Sequence, residues 1–379
     1  MTDPGLPVPG AQFPTQPRHR LLLIAGATLA VCILAAAGYF WYRSTHPPTK
    51  PPRVTNPHAA LTSGDLDGAL TQIDQILAAN PKDVQVLIIK SLALAQKGNT
   101  LSKQSVYGPQ AADAANQAIA LDGMSSEAYR ALGYANEIQQ KYVEAHAAYQ
   151  KAIALDSKNA NALYGDAHAY DLQGEAVKAE AGYKAALALD SKLYSAYLGI
   201  GRAENAQGNA SAAIDAFKQV YNYDQNTRDK SEASYSIGML LMAQGPDQVN
   251  LARGYFEKAI YFDPSYPSAY VGQGIVLYAQ ATATSTGATL ASADIRSKLL
   301  LSSASALQKA LKLDPNQTVA YMQLSLTLLG LGQKEAALGA LTSAKQALPH
   351  DITLSASEKA ATLNQIASLS AQISTSTLP

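Results

Sequence analysis

The sequence repeats itself every 34 residues. Tyr129, Leu163 and Tyr197 keep that spacing, as do Gly133, Ala167 and Gly201, then Ala145, Ala179 and Ala213, then Tyr149, Tyr183 and Phe217. Each of these units closes on an aspartate that follows a bulky residue: Leu155-Asp156, Leu189-Asp190 and Tyr223-Asp224. A fixed period of this length marks stacked helical hairpins, none of which can bury its apolar face alone. It predicts one elongated all-α solenoid in place of the two or three globular domains that 379 residues could hold. Arrays of this kind present long binding surfaces to other chains.

Composition narrows the partners only a little. Charged residues are 15% of the chain, the formal net charge is zero, and tyrosine, with 21 copies, is the dominant aromatic. No global basic field favours nucleic acid, so no nucleic-acid partner is expected. The single cysteine, Cys32, permits no intramolecular disulfide, and the repeats hold no thiol. They suit an oxidising or a reducing compartment equally.

Residues 21–42, LLLIAGATLAVCILAAAGYFWY, carry no charge. A helix of that length spans roughly 33 Å, enough to cross a hydrocarbon core of about 30 Å. Arg18 and Arg20 flank one end; Tyr39, Trp41, Tyr42 and Arg43 suit an interfacial belt at the other. The run reads as a retained single-pass transmembrane helix. Two other readings compete with it: a cleaved signal peptide ending near Ala35-Ala36-Ala37, and a loose lipobox around Cys32. Flanking charge does not fix orientation. The short N-terminal tail and large C-terminal part resemble bacterial inner-membrane signal anchors, which implies an extracytoplasmic (periplasmic or cell-surface) repeat domain. Residues 1–20 read as a disordered Pro-rich tail, and 43–58 as a Pro-rich spacer.

The repeat positions resemble the tetratricopeptide repeat (TPR) family. Its 34-residue unit wants a large residue at position 4, small residues at 8, 20 and 27, Gly near 15, a large residue at 24 and often Pro at 32. Unit 160–193 matches with Leu163, Ala167, Gly174, Ala179, Tyr183 and Ala186. Unit 126–159 matches except at the turn, where Gln140 replaces Gly, and 194–227 matches with Tyr197, Gly201, Gly208, Ala213 and Phe217. Units 231–266 (Ala252, Phe256, Ala259, Pro264) and 318–351 (Tyr321, Gly332, Ala337, Leu341, Ala344, Pro349) follow. The resemblance implies a right-handed solenoid of about seven to eight hairpins over 59–351. Two insertions interrupt it, near Thr100–Tyr107 and over 282–298; both are expected to be loops, the second polar and flexible. Ser355 to Glu358 forms a capping-box pattern. Residues 352–379 are read as a capping helix, with Leu363, Ile366, Leu369 and Ile373 along one face, and a tail.

Catalytic chemistry is not legible. The six histidines lack metal spacing, and no phosphate loop or nucleophile elbow is present. No enzyme activity, cofactor or metal is expected.

The resemblance also implies that the first helix of each hairpin lines a concave groove through positions 2, 5, 9 and 12. At positions 5, 9 and 12 this assigns Arg130, Tyr134, Tyr164, His168, Arg202, Tyr235, Met239, Met242 and Tyr278 as partner-binding candidates. The groove begins polar and aromatic and turns apolar after residue 235. Tyrosine, arginine and methionine there suit protein or peptide partners. The alternative is that the apolar stretch over 271–329 is simply covered, by the end helix or the insertion. The Lys/Asn set of carboxylate-clamp co-chaperones is absent: Arg130 and Arg202 have no such companions. The chain thus looks like a membrane-tethered scaffold for secretion, pilus or envelope-complex assembly. A holdase or import-receptor role and a glycan-handling role are the alternatives.

Overall fold

The computed structural model describes residues 65–100, 103–283, 290–351, 354 and 356–375. Contacts divide the chain into units 1–56 and 57–379, and every described residue lies in the second. The segment 21–42 lies outside the described residues; among these, no helix is long and apolar enough to cross a membrane.

Sixteen α-helices are described. They are α1 (Leu66–Ala79), α2 (Val84–Thr100), α3 (Gln104–Leu121), α4 (Ser126–Glu137), α5 (Tyr142–Leu155), α6 (Ala160–Leu172), α7 (Ala176–Leu189) and α8 (Tyr194–Ala206). There follow α9 (Ala210–Tyr223), α10 (Thr227–Gln244), α11 (Val249–Phe262), α12 (Pro267–Ala283), α13 (Leu290–Leu313), α14 (Thr318–Gly330), α15 (Lys334–Ala347) and α16 (Ala356–Thr375). Helices α2 to α15 pair consecutively into seven hairpins that stack in sequence order. Helix α1 packs on α2 ahead of the first hairpin, the residues before Asp65 lying outside the described residues, and α16 packs on α15.

The period has a simple packing basis. The large residue at position 24 of each hairpin wedges between two first helices, its own and the next. A Cβ added at Gly133 (α4) would lie 2.6 Å from the Tyr149 ring, and one at Gly165 (α6) 2.4 Å from the same ring. Gly201 stands in the same relation to Phe217, Gly199 to Tyr183, and both Gly238 and Gly272 to Phe256. Tyr149, Tyr183 and Phe256 are among the largest fully buried side chains. Alanines at positions 20 and 27 (Ala145, Ala152, Ala179, Ala186) are wholly buried where helices cross.

The recurring aspartate is a stop signal. The side chains of Asp122, Asp156, Asp190, Asp224, Asp263 and Asp314 each accept the backbone N–H two residues on, at 2.9–3.0 Å. This Asx-turn offers the chain an alternative to further helix. Within hairpins, Gly174, Gly208 and Gly332 turn the chain at φ of 77°, 83° and 76°. Gln140 takes the same left-handed conformation at φ 60°, with a side chain that disfavours it.

Both insertions differ from the loop expectation. The first lengthens α2 to 17 and α3 to 18 residues, whereas α8 and α9 have 13 and 14. Residues 290–298 of the second form the opening turns of α13, a 24-residue helix; 284–289 lie outside the described residues. Leu, Ala, Arg and Lys there are sound helix formers, and the turns, exposed over most of 293–298, run on into the part of α13 that is buried at Leu300 and Leu307. At the C-terminus, Ile366 and Ile373 of α16 join Leu341 and Leu348 in one cluster. Met322 and Leu329 of α14 pack against that cluster, so this part of the apolar stretch is covered by the end helix.

Candidate partner-binding groove

The first helices α4, α6 and α8 bring five of the nine candidates to one cavity of about 430 Å³. Arg130, Tyr134, Tyr164, His168 and Arg202 all line it. Position 9 follows position 5 by one helical turn, which puts both on one helix face. Met242 lies elsewhere, in a larger apolar cavity of about 870 Å³ beside Pro246, Val249 and Leu299. Tyr235 and Met239 line neither cavity; they pack against the core built on Phe217, Ile237 and Phe256. Tyr278 is half-buried and also lines neither.

The polar walls are tied together by a ladder. Buried Glu137, at position 12 of α4, is 4% exposed. It accepts from the Tyr149 hydroxyl at 3.0 Å and lies 2.9 Å from His168 Nδ1 of the next hairpin. The next rung repeats the arrangement. Asp171, at position 12 of α6, accepts from Tyr183 at 3.3 Å and from Arg202 Nε at 2.9 Å. Each rung therefore joins a core tyrosine, a groove carboxylate and a groove base on the following hairpin. Where Phe217 replaces tyrosine at position 24, position 12 is Asn205 and the ladder stops. Beyond it the pairs are Phe256 with Met242 and Leu341 with Leu329.

Arg130 is held by Glu127 on its own helix, Nε to Oε2 at 2.8 Å. Asn159 donates to the same carboxylate at 2.8 Å. Arg202 bridges Asp171 and Glu232, with Nη1 3.0 Å from the latter. Burial pulls the Arg202 guanidinium down, and Glu232 and Asp171 more than offset this, leaving it firmly charged. Burial pushes the Tyr164 phenol up to about 12, partly offset by Arg202. Burial, then Glu137, also pushes up Tyr134 and Tyr149. All three tyrosines are neutral hydroxyls at ordinary pH. The Tyr164 ring stacks on His168 with centroids 5.9 Å apart and an 8° interplanar angle. Such a surface can clamp an extended chain through aromatic faces and charge-assisted hydrogen bonds.

Sequence reasoning did not single out Asn99, Asn161, Ser195, Asp229 and Glu232, all on the cavity wall. Asn161, Ser195 and Glu232 occupy position 2 of their units, so the period held the signal. Asn99 comes from the lengthened end of α2 and Asp229 from the early start of α10; both depart from the period. Asp229 is pushed up to about 7 by burial, then by Asp224 and Glu232.

Comparison with known proteins places this geometry in context. A family model described as a tetratricopeptide repeat matches residues 58–100 and 109–160. No curated protein matches the chain. Among solved structures, the Cut9–Hcn1 hetero-tetramer of the APC/C aligns with TM-score 0.57 and 17% identity, over 79% of this chain and 52% of that one. Yeast Tom70 aligns with TM-score 0.52 and 16% identity, over 81% and 59%. These two share the fold, and the chain spans just over half the length of each. MamA is 30% identical over 43% of this chain and 91% of its own, with TM-score 0.34.

Proposed function

The chain belongs to the tetratricopeptide-repeat family, and from that premise we propose that it is a non-enzymatic scaffold that holds protein or peptide partners in the groove of its first helices. The observation that carries this reading is the convergence of Arg130, Tyr134, Tyr164, His168 and Arg202, from three successive hairpins, on one cavity. An extended segment laid along it meets aromatic faces and fixed charges without needing a rearranged backbone. The finer reading is a membrane-tethered scaffold of envelope, secretion or pilus complexes. It rests on the uncharged run 21–42 and the proline-rich spacer after it.

Crosslinking and pull-down of the full-length protein, comparing wild type with Tyr164→Ala, tests the groove. A partner captured by the first and lost by the second, at unchanged melting temperature, is the expected result. Equal capture by both would overturn it. A topology reporter fused at Pro379 tests the tethering: an extracytoplasmic signal is expected, and a soluble or cytoplasmic one removes the envelope role.

One observation favours a second reading, a holdase role for unfolded segments. The cavity beside Met242 and Leu299 is apolar and large enough for bulky side chains. A broad apolar preference on a peptide array would select it over the scaffold, which calls for one strong sequence preference.

A further inference from the structure

The groove reading can be taken one step further, to the chemistry of the segment it holds, because the ladder ends with its charges unbalanced. In the two complete rungs, each position-12 carboxylate takes a base from the next hairpin: His168 for Glu137 and Arg202 for Asp171. The third rung fails on both sides, since position 12 of α8 is Asn205 and position 9 of α10 is Met239. Yet carboxylates continue past the break. Glu232 lines the cavity and shares Arg202 with Asp171. Asp229, on the same helix and three residues earlier, lines the cavity too, with the buried carboxyl of Asp224 as its neighbour. Asp171 and Glu232 thus share a single guanidinium, Arg202, which also acts on Asp229, while the other arginine of the cavity, Arg130, is occupied by Glu127. The uncompensated charge is felt at Asp229, whose carboxyl holds its proton to about pH 7.

We propose that the groove seats a lysine or arginine side chain of the bound segment, with its cation at Asp229 and Glu232 and its methylene stem along Leu198 and Tyr164. The bound residue supplies the base that Met239 does not. A long basic side chain fits this wall for two reasons. Its stem covers apolar surface while its head stays with the carboxylates, and a pair with a partly buried carboxylate is a charge-assisted hydrogen bond. An acidic segment would add like charge to a site already rich in it. The inference depends on the groove being the binding surface, so its test must separate the two claims.

Fluorescence anisotropy on the full-length protein does so, with three labelled proline-spaced peptides that carry lysine, norleucine or glutamate at the same positions. The lysine peptide is expected to bind about tenfold tighter than the norleucine peptide, and the glutamate peptide most weakly. Asp229→Asn should remove about tenfold from the lysine peptide alone. Glu257→Gln, an exposed carboxylate on α11 paired with Arg253, should leave all three unchanged. Thermal melts confirm that Asp229→Asn folds. Equal affinity for lysine and norleucine peptides, or indifference of the lysine peptide to Asp229→Asn, overturns the basic seat. The groove reading survives that result if Tyr164→Ala still weakens every peptide. If Tyr164→Ala changes none of them, both claims fall.

Discussion

The rung at Glu137 gives the sharpest test of how core and groove are joined. Tyr149→Phe keeps the ring between Gly133 and Gly165 and deletes only the hydroxyl. What is lost is one 3.0 Å hydrogen bond to a carboxylate that is 4% exposed. Hydrogen bonds to charged groups contribute about 1.5–3 kcal/mol, more when the group left behind is buried. Glu137 keeps His168 at 2.9 Å, which places the expected loss near the middle, at about 2 kcal/mol. No cavity cost is added, because the phenyl ring fills the same space. Tyr183→Phe should cost less, since its bond to Asp171 is 3.3 Å and Asp171 retains the guanidinium of Arg202. The assay is urea unfolding followed by circular dichroism, with amide exchange on α4 and α5 because neighbouring repeats can open separately. A cycle with Glu137→Gln isolates the pair: in that background Tyr149→Phe should cost only about 1 kcal/mol. A single-variant loss under about 0.5 kcal/mol, or an equal loss with Gln at 137, would show that the hydroxyl does not bear on Glu137 and would refute the ladder.

Other outcomes follow from the same contacts. Gln140→Gly should stabilise the array by about 1 kcal/mol by relieving a left-handed conformation that glycine adopts freely; a lower urea midpoint would contradict this. Gly199→Ala should cost about 1–3 kcal/mol, because the new Cβ would stand 2.2 Å from the buried Tyr183 ring, whereas Gly254→Ala, with nothing within 4 Å, should gain up to about 1 kcal/mol; thermal melts of the two variants should move in opposite directions. Asp229 has a folded-state value of about 7, raised from 3.8 by burial, then Asp224 and Glu232, with Arg202 opposing. The protonated carboxyl therefore contributes stability that is complete below about pH 4 and is lost as pH rises towards about 7. Denaturation midpoints across that window should fall less in Asp229→Asn than in wild type, and parallel profiles would count against the shift. Arg202→Glu would set a fourth carboxylate beside Asp171, Asp229 and Glu232, so it should lower the melting temperature; an unchanged melt would show that its two ion pairs contribute little.

Where the residues obey the period, the architecture was legible from them. Ala145, Ala179 and Ala213 are small because helices cross there, and Tyr149, Tyr183 and Phe217 are large because one ring fills the space between two first helices. Those constraints recur in every hairpin, so they print themselves at 34-residue intervals. The extra residues near 100–107 and 290–298 obey no period, and polarity alone suggested loops. Residues 104–107 are helical where Gln104 and Tyr107 pack on Gly98 of α2, and 290–298, exposed over most of 293–298, extend a helix already held by the burial of Leu300 and Leu307. The groove was legible to the same extent. Arg130, Tyr134, Tyr164, His168 and Arg202 follow from the register. Tyr235 and Met239 do not reach the cavity, because the wall past Leu198 is filled by the core around Phe256. Asp229 was out of reach of the register, since α10 starts before its unit does.

The coupling between core and groove limits how such a surface can change. A carboxylate at position 12 is stable in partial burial because a tyrosine hydroxyl reaches it from position 24 and a base reaches it from the next hairpin. Where Phe217 replaces that tyrosine, position 12 is neutral and exposed, as Asn205 is, and above Phe256 it is apolar, as Met242 is. Asn205 is exposed, so a carboxylate placed there would be solvated and would lack both partners that Glu137 and Asp171 enjoy. The switch from a polar to an apolar wall after residue 235 is thus set in the core, one hairpin at a time. The double change Phe217→Tyr with Asn205→Asp should be tolerated better than Asn205→Asp alone, by about 0.5–1 kcal/mol because position 205 is exposed. If the two changes simply add, the hydroxyl at position 24 does not govern what position 12 can be, and the polar and apolar walls are independent choices.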